Sequence, residues 1–210
     1  MLQSSRPFIA KDLDVEQLKR HVESRAAVVR AVPSATWALR SDGRDKGKGL
    51  ALFNSAFWSA PWVVKGGVSP AAAVGDIFAE PNKYASGCRA ATALVLLKGV
   101  LDVVGPGEFD KLNNYPPPMI WDKAWPAKLL AVDKQVSGLD WVPGDRGYIN
   151  GTGSSGIDAG QWVISLDGAS LWGFGAEPLV QSVEEWVQTE GGPVSAQRWY
   201  PGVGLEVHYP

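Results

Sequence analysis

The chain has one cysteine, Cys88. It stands where a small-residue turn, Tyr84-Ala85-Ser86-Gly87, gives way to a long apolar run from Ala90 to Val104. A thiol in the first turn of a helix faces unpaired backbone N–H groups and the positive end of the helix dipole, and both favour thiolate over thiol. Gly87 lets the backbone approach closely, and the N–H groups around Cys88 are suited to an oxyanion hole for a tetrahedral intermediate. Arg89 either adds positive potential or is simply exposed. The same position also suits a buried structural cysteine, a common fate of a free thiol. A nucleophile needs a partner that orients the sulfur or takes its proton, usually His and sometimes Asp or Glu. The chain has two histidines. His21, beside a helical stripe near the N-terminus, reads as structural, which leaves His208 on a terminal strand as the one suitably placed.

The elements that must hold Cys88 can be read from periodicity. Residues 14–31 carry Val15, Leu18, Val22, Ala26 and Val29 at three- and four-residue spacing, with Asp12 or Asp14 as N-cap and Pro33 beyond the end, which predicts an amphipathic helix. The polar, glycine-rich stretch 41–49 is a break, dividing an N-terminal helical extension (1–45), packed on the core, from a catalytic unit (46–210). Two short strands are expected around Pro61, then a helix over 69–79 opened by Ser69 as cap and Pro70 at its first position. From Ala90 to Val104 nearly every face is apolar, so this helix should be enclosed by protein and end at Gly105-Pro106-Gly107. Beyond a proline-rich connector the chain reads as short strands (139–142, 147–150, 161–167, 169–175 and 204–210) separated by turn signals, with a helix over 179–189. Helices first and strands afterwards imply an α+β architecture.

Composition narrows the function classes. Twenty Lys and Arg stand against 22 Asp and Glu, a net charge of -2, so no overall field points to nucleic acid or to an anionic membrane. One Cys and two His leave too few soft ligands for a zinc site and no internal disulfide. The longest apolar run is cut by Lys98, Gly99 and Asp102, which predicts a soluble protein, cytoplasmic by default. The ten Trp are scattered along the chain, as expected of core and cleft-wall packing.

Residues 69–109 resemble the active-site segment of the small bacterial protein-glutamine gamma-glutamyltransferases of the Bacillus spore type. The shared features are Asp76-Ile77, the turn Tyr84-Ala85-Ser86-Gly87-Cys88, and Asp102, Gly105 and Phe109 at the end of the apolar helix. In the same order, Gly144-Asp145, Tyr148 and Asn150 resemble the family's Gly-Asp-x-x-Tyr-x-x-Asn strand, and Gly160-Gln161-Trp162-Val163-Ile164 its Gly-Glu-x-Val-Ile strand. Trp172-Gly173-Phe174-Gly175 falls where the family has an aromatic-Ala-His-Gly strand. The resemblance covers roughly residues 50 to 175.

It implies a papain-like, NlpC/P60-type α+β fold, with the cysteine at the N-terminus of a buried helix packed on a small antiparallel sheet. It also implies attack of Cys88 on the carboxamide of a protein-bound glutamine, giving a thioester resolved by a lysine amine or by water. No metal or organic cofactor is implied, and the partners are proteins presenting Gln and possibly Lys, with no nucleic acid and no membrane. The family's glutamate base, the glutamate before its cysteine and its histidine are here Gln161, Gly87 and Phe174. Glutamine takes up no proton at neutral pH, so Gln161 is left an orienting or oxyanion-binding role. Asp158, Asp145 and His208 are the substitute acids or bases, and Trp121, Trp125 and Trp162 are expected to wall the cleft, with Phe174 and Gly87 also lining it. The alternatives are a catalytically degenerate binding or structural module, and a dedicated glutamine deamidase. The latter rests on a weaker likeness of Ser86-Gly87-Cys88 to bacterial glutamine deamidases such as the chemotaxis-receptor deamidases and related toxin domains.

Overall fold

The computed structural model describes residues 9–10, 15–39, 50–61, 63–113, 130–137, 141–150, 160–175, 179–190, 195–201 and 207–208. A short strand β1 (Ile9–Ala10) precedes α1 (Val15–Ala31), and β2 (Ala38–Leu39), β3 (Leu50–Leu52), β4 (Trp58–Ala60) and β5 (Val63–Val64) lead to α2 (Pro70–Ala79). Then come β6 (Ala85–Ser86), α3 (Cys88–Val104) and α4 (Pro106–Leu112). The second half supplies β7 (Leu130–Ser137), β8 (Arg146–Asn150), β9 (Gly160–Ser165), β10 (Ser170–Gly173), β11 (Leu179–Ser182), α5 (Val183–Glu190), β12 (Ser195–Pro201) and β13 (Val207–His208).

The helix ends follow their sequence signals. Ser69 caps α2, its hydroxyl accepting from the Ala72 N–H at 3.1 Å, and Pro70 occupies the first turn. Helix α3 ends at Gly105, whose φ of 78° favours glycine, and Pro106 then opens α4. Residues Ala90 to Leu97 of α3 are all buried, as an apolar surface on every face requires. Among the described residues no helix is long and apolar enough to cross a membrane.

Helix α1 departs from its apolar spacing. Val15, Val22 and Ala26 are exposed, and the buried face runs through His21, Ser24, Arg25, Val28 and Ala31. The reason is a buried polar network. Arg25 Nε donates to His21 Nε2 at 2.8 Å, while its Nη1 donates to Asp145 Oδ1 at 2.6 Å and to the Pro143 carbonyl at 3.1 Å. Paired and hydrogen-bonded in this way, the charges tolerate burial that neither would tolerate alone. Gly144 admits this contact: its φ is 82°, and a Cβ there would lie 3.0 Å from the Arg25 backbone.

Six strands form an antiparallel sheet in the order β11-β10-β9-β8-β12-β7. The segment expected as one helix over 179–189 divides, because Leu179–Ser182 pairs with β10 and only Val183 onward is helical. Strands β7 and β12 were not expected from alternation, and Trp141 and Val142, expected in a strand, are buried in a loop. One sheet face packs on the helices, in a core uniting Val28, Trp37, Ile77, Leu94 and Leu97 with Ile164, Trp172 and Phe174. The other carries Ile149, Val163 and Leu171 against Trp141, Val183 and Trp186 of α5.

Candidate active site

The turn that delivers Cys88 is held on three sides. Strand β6 lies between β2, parallel, and β3, antiparallel. Ser86 Oγ accepts from Trp37 Nε1 at 2.8 Å. The Tyr84 hydroxyl donates to Asp76 Oδ2 at 2.5 Å and accepts from Trp58 Nε1 at 3.2 Å, and Asn54 donates to the same carboxylate oxygen at 2.9 Å. These groups are satisfied in a buried setting, where a lost partner is costly, so the Ala85–Gly87 backbone has little freedom. Gly87 is the N-cap of α3, in extended conformation, and Cys88 opens the helix.

Cys88 is partly buried and packs at the edge of the helix-side core. Burial pushes its thiol up from the ordinary range, and this is the largest influence on it. Opposing it are the backbone N–H groups of Trp162 and Arg89, then the charge of Arg146, then the backbone N–H of Cys88 itself. Pairing of β9 with β10 stops at Val163, one residue short of Trp162, so on that side the Trp162 backbone lies beyond the ladder.

Arg146, the first residue of β8, is fully buried beneath the first turn of α3. Its Nε donates to Thr92 Oγ1 at 2.8 Å and its Nη2 to the Arg89 carbonyl at 2.9 Å, while its guanidinium stacks 3.9 Å from the centre of the Trp162 ring. Arg89 lies over the same ring at 5.6 Å. Thr92 Oγ1 in turn donates to the Cys88 and Arg89 carbonyls at 3.0 and 3.1 Å. Burial, then the like charge of Arg89, push the Arg146 guanidinium down to about 9, and attraction to Cys88 opposes both. Spacing around the cysteine gave no hint of Arg146. The usable signal was strand alternation, which puts Arg146, Tyr148, Trp162 and Ile164 on one face because the pairs Arg146–Ile164 and Tyr148–Trp162 are directly opposed.

The same alternation puts Gln161 on the other face. It opposes Ile149 and lies two residues from Val163, both in the α5-side cluster, and a Cβ on Gly173 would meet Gln161 Cγ at 3.3 Å and the Trp186 ring at 2.6 Å. Its amide donates to the Trp162 and Phe174 carbonyls at 3.2 and 3.1 Å. The structure therefore brings Trp162, and not Gln161, to the cysteine. Trp162 is half-buried and packs at a tilt against Tyr148, ring centres 5.1 Å apart, as a cleft wall would be. Phe174 is fully buried, 5.6 Å from Trp37 and 5.9 Å from Trp172, which makes it core and not lining. Asp145 is occupied by Arg25 and by the Val142 N–H at 2.9 Å. His208 lies on β13, opposite Ile9 of β1, and its side chain falls outside the described residues. So do Trp121, Trp125 and Asp158.

Residues 5–188 match the family model described as protein-glutamine gamma-glutamyltransferase. Among solved structures the chain is similar to the transglutaminase of Geobacillus stearothermophilus without its C-terminal extension, at 18% identity and a TM-score of 0.67. That match covers 94% of this chain and 95% of the other. No curated protein matches the chain.

Proposed function

The chain belongs to the protein-glutamine gamma-glutamyltransferase family, and from that premise we propose that Cys88 is the nucleophile of an acyl transfer on protein glutamine. The observation that carries this reading is the sulfur's position: the first residue of a buried helix, where the backbone N–H groups of Trp162 and Arg89 favour the thiolate. The thiolate attacks the side-chain carboxamide carbon, and the same N–H groups are suited to hold the oxyanion. The C–S bond forms in that attack, the C–N bond then breaks to leave a thioester, and the proton given up by the thiol ends on the departing ammonia. A lysine amine that displaces the sulfur yields an isopeptide bond; water yields glutamate. In either case the proton of the incoming group returns to the thiol. Trp162 walls the approach, and Gln161 pins the ends of β9 and β10 through its two carbonyl contacts.

Incubating a glutamine-containing peptide with the protein, with and without a primary amine, tests the reading. Ammonia release is expected in both arms, amine incorporation in one, and Cys88→Ala removes both. A specific observation favours a second reading, a family member that binds without turnover: burial outweighs everything that favours the thiolate. If the peptide gives neither product from neutral to alkaline pH, and Cys88→Ala behaves as the wild type, that second reading replaces the first.

A further inference from the structure

Three side chains crowd the entrance of α3: Arg89 from the helix itself, Arg146 from β8 and Trp162 from β9. The first turn of α3 contains no acidic residue. Positive charge at a helix N-terminus opposes the helix dipole, and burying a guanidinium costs several kcal/mol before compensation. Yet Arg146 is fully buried there. It is held by the Thr92 hydroxyl, the Arg89 carbonyl and the face of Trp162, contacts that fix a planar fork in one orientation as a lysine could not be fixed. Two of these anchors lie within the first five residues of the cysteine helix. The third is the residue whose backbone N–H favours the thiolate.

From this geometry we propose that Arg146 is the built-in counter-charge of the Cys88 thiolate, doing by fixed positive charge what a proton-accepting partner does by taking the proton. The inference rests on the nucleophile reading above. In this arrangement the thiol proton passes by way of water to the departing ammonia, and the thiolate is held by Arg146 and the N–H groups. Attraction between the two groups is mutual: it acts against burial at Cys88 and equally against burial at Arg146.

Alkylation of Cys88 by iodoacetamide as a function of pH tests this without any glutamine substrate. Arg146→Met is expected to move the midpoint of alkylation upward by about one unit or more and to slow alkylation at neutral pH by about tenfold. It should also slow anionic iodoacetate more than neutral iodoacetamide, a ratio that a merely structural role would not move. Arg146→Gln removes the charge but can still donate to Thr92 and the Arg89 carbonyl, and it is expected to move the midpoint upward in the same way. A folded Arg146→Met protein with an unmoved midpoint and an unmoved iodoacetate ratio overturns the proposal. If Arg146→Met fails to fold, Arg146→Gln decides, and an unmoved midpoint in that variant overturns it. The two readings fail separately. A midpoint that depends on Arg146 without peptide turnover sinks acyl transfer and leaves the ion pair standing; turnover with an indifferent midpoint does the reverse.

Discussion

At the scale of single residues, position 161 separates what a motif implies from what a strand does with it. A Gly-Gln-x-Val-Ile string aligns Gln161 with an acid, but the side-chain period of two sends Gln161 toward α5 and Trp162 toward Cys88. Gln161→Glu is therefore expected not to raise glutamine turnover, because a carboxylate on the far face cannot reach the sulfur and cannot replace the amide's donations to the Trp162 and Phe174 carbonyls. A gain in kcat/KM of an order of magnitude would show that the acid does reach it. Cys88 itself carries a pH signature. Its thiol is pushed up by burial, so the unfolded chain ionises first as pH rises; the folded state's advantage is full below the ordinary thiol range and is lost as pH climbs through the native value. Urea unfolding across the alkaline range should show wild type losing stability relative to Cys88→Ala. A constant difference between the two proteins would contradict the burial argument. The cysteine at a helix start was legible in the sequence, because glycine before an apolar run is a local signal. Arg146 was not, since its role depends on a strand 54 residues away from Thr92.

At the scale of elements, caps were legible and burial of polar faces was not. Ser69-Pro70 marked the start of α2 correctly. Ser182 and Glu185 form a reciprocal capping box, with the Glu185 N–H on Ser182 Oγ at 3.2 Å and the Ser182 N–H on Glu185 Oε2 at 2.8 Å. That Ser-x-x-Glu signal was present in the chain and fixes the start of α5 at Val183. Helix α1 was turned the wrong way because apolar spacing ignores residues buried by pairing, and Arg25 with His21 and Asp145 is such a set. What brings α1 against α3 is Gly99. A Cβ there would lie 2.4 Å from Val28 Cγ2 and 2.6 Å from the Val28 backbone nitrogen, so the obstruction is main chain and not a side chain that can turn aside. Gly99→Ala gains up to about 1 kcal/mol of helix propensity but forces two helices apart in a packed core, at a cost of about 1–3 kcal/mol. The cost should win, lowering the urea midpoint with an unchanged slope. A midpoint at or above wild type would mean that the interface yields without strain.

At the scale of the whole molecule, the α+β order of the chain could be read because helical periodicity fills its first half and turn-bounded alternation its second. The strands β7 and β12 could not be, since they pair across 58 to 71 residues and local alternation is weak in both. Composition breaks at residues 41–49 and suggests an extension packed on the core, and Val28, Ala31, Val32, Ala35 and Trp37 share one core with α3 and with the sheet residues Ile164, Trp172 and Phe174. Trp37 also supplies the hydrogen bond that fixes Ser86, two residues before Cys88. Burial of Val28, Val32 and Trp37 contributes about 1.5–3 kcal/mol each, and stranding Asp145 without Arg25 costs about 3–5 kcal/mol more. Those losses are comparable with the entire stability of about 5–15 kcal/mol expected of a domain. We therefore expect a chain beginning at Lys46 to show no cooperative thermal transition and no alkylation difference between folded and urea-treated Cys88, where the full chain shows both. A truncated chain that melts cooperatively near the full-length temperature would instead make the segment an appendage, and would leave the Trp37–Ser86 contact without consequence for the nucleophile.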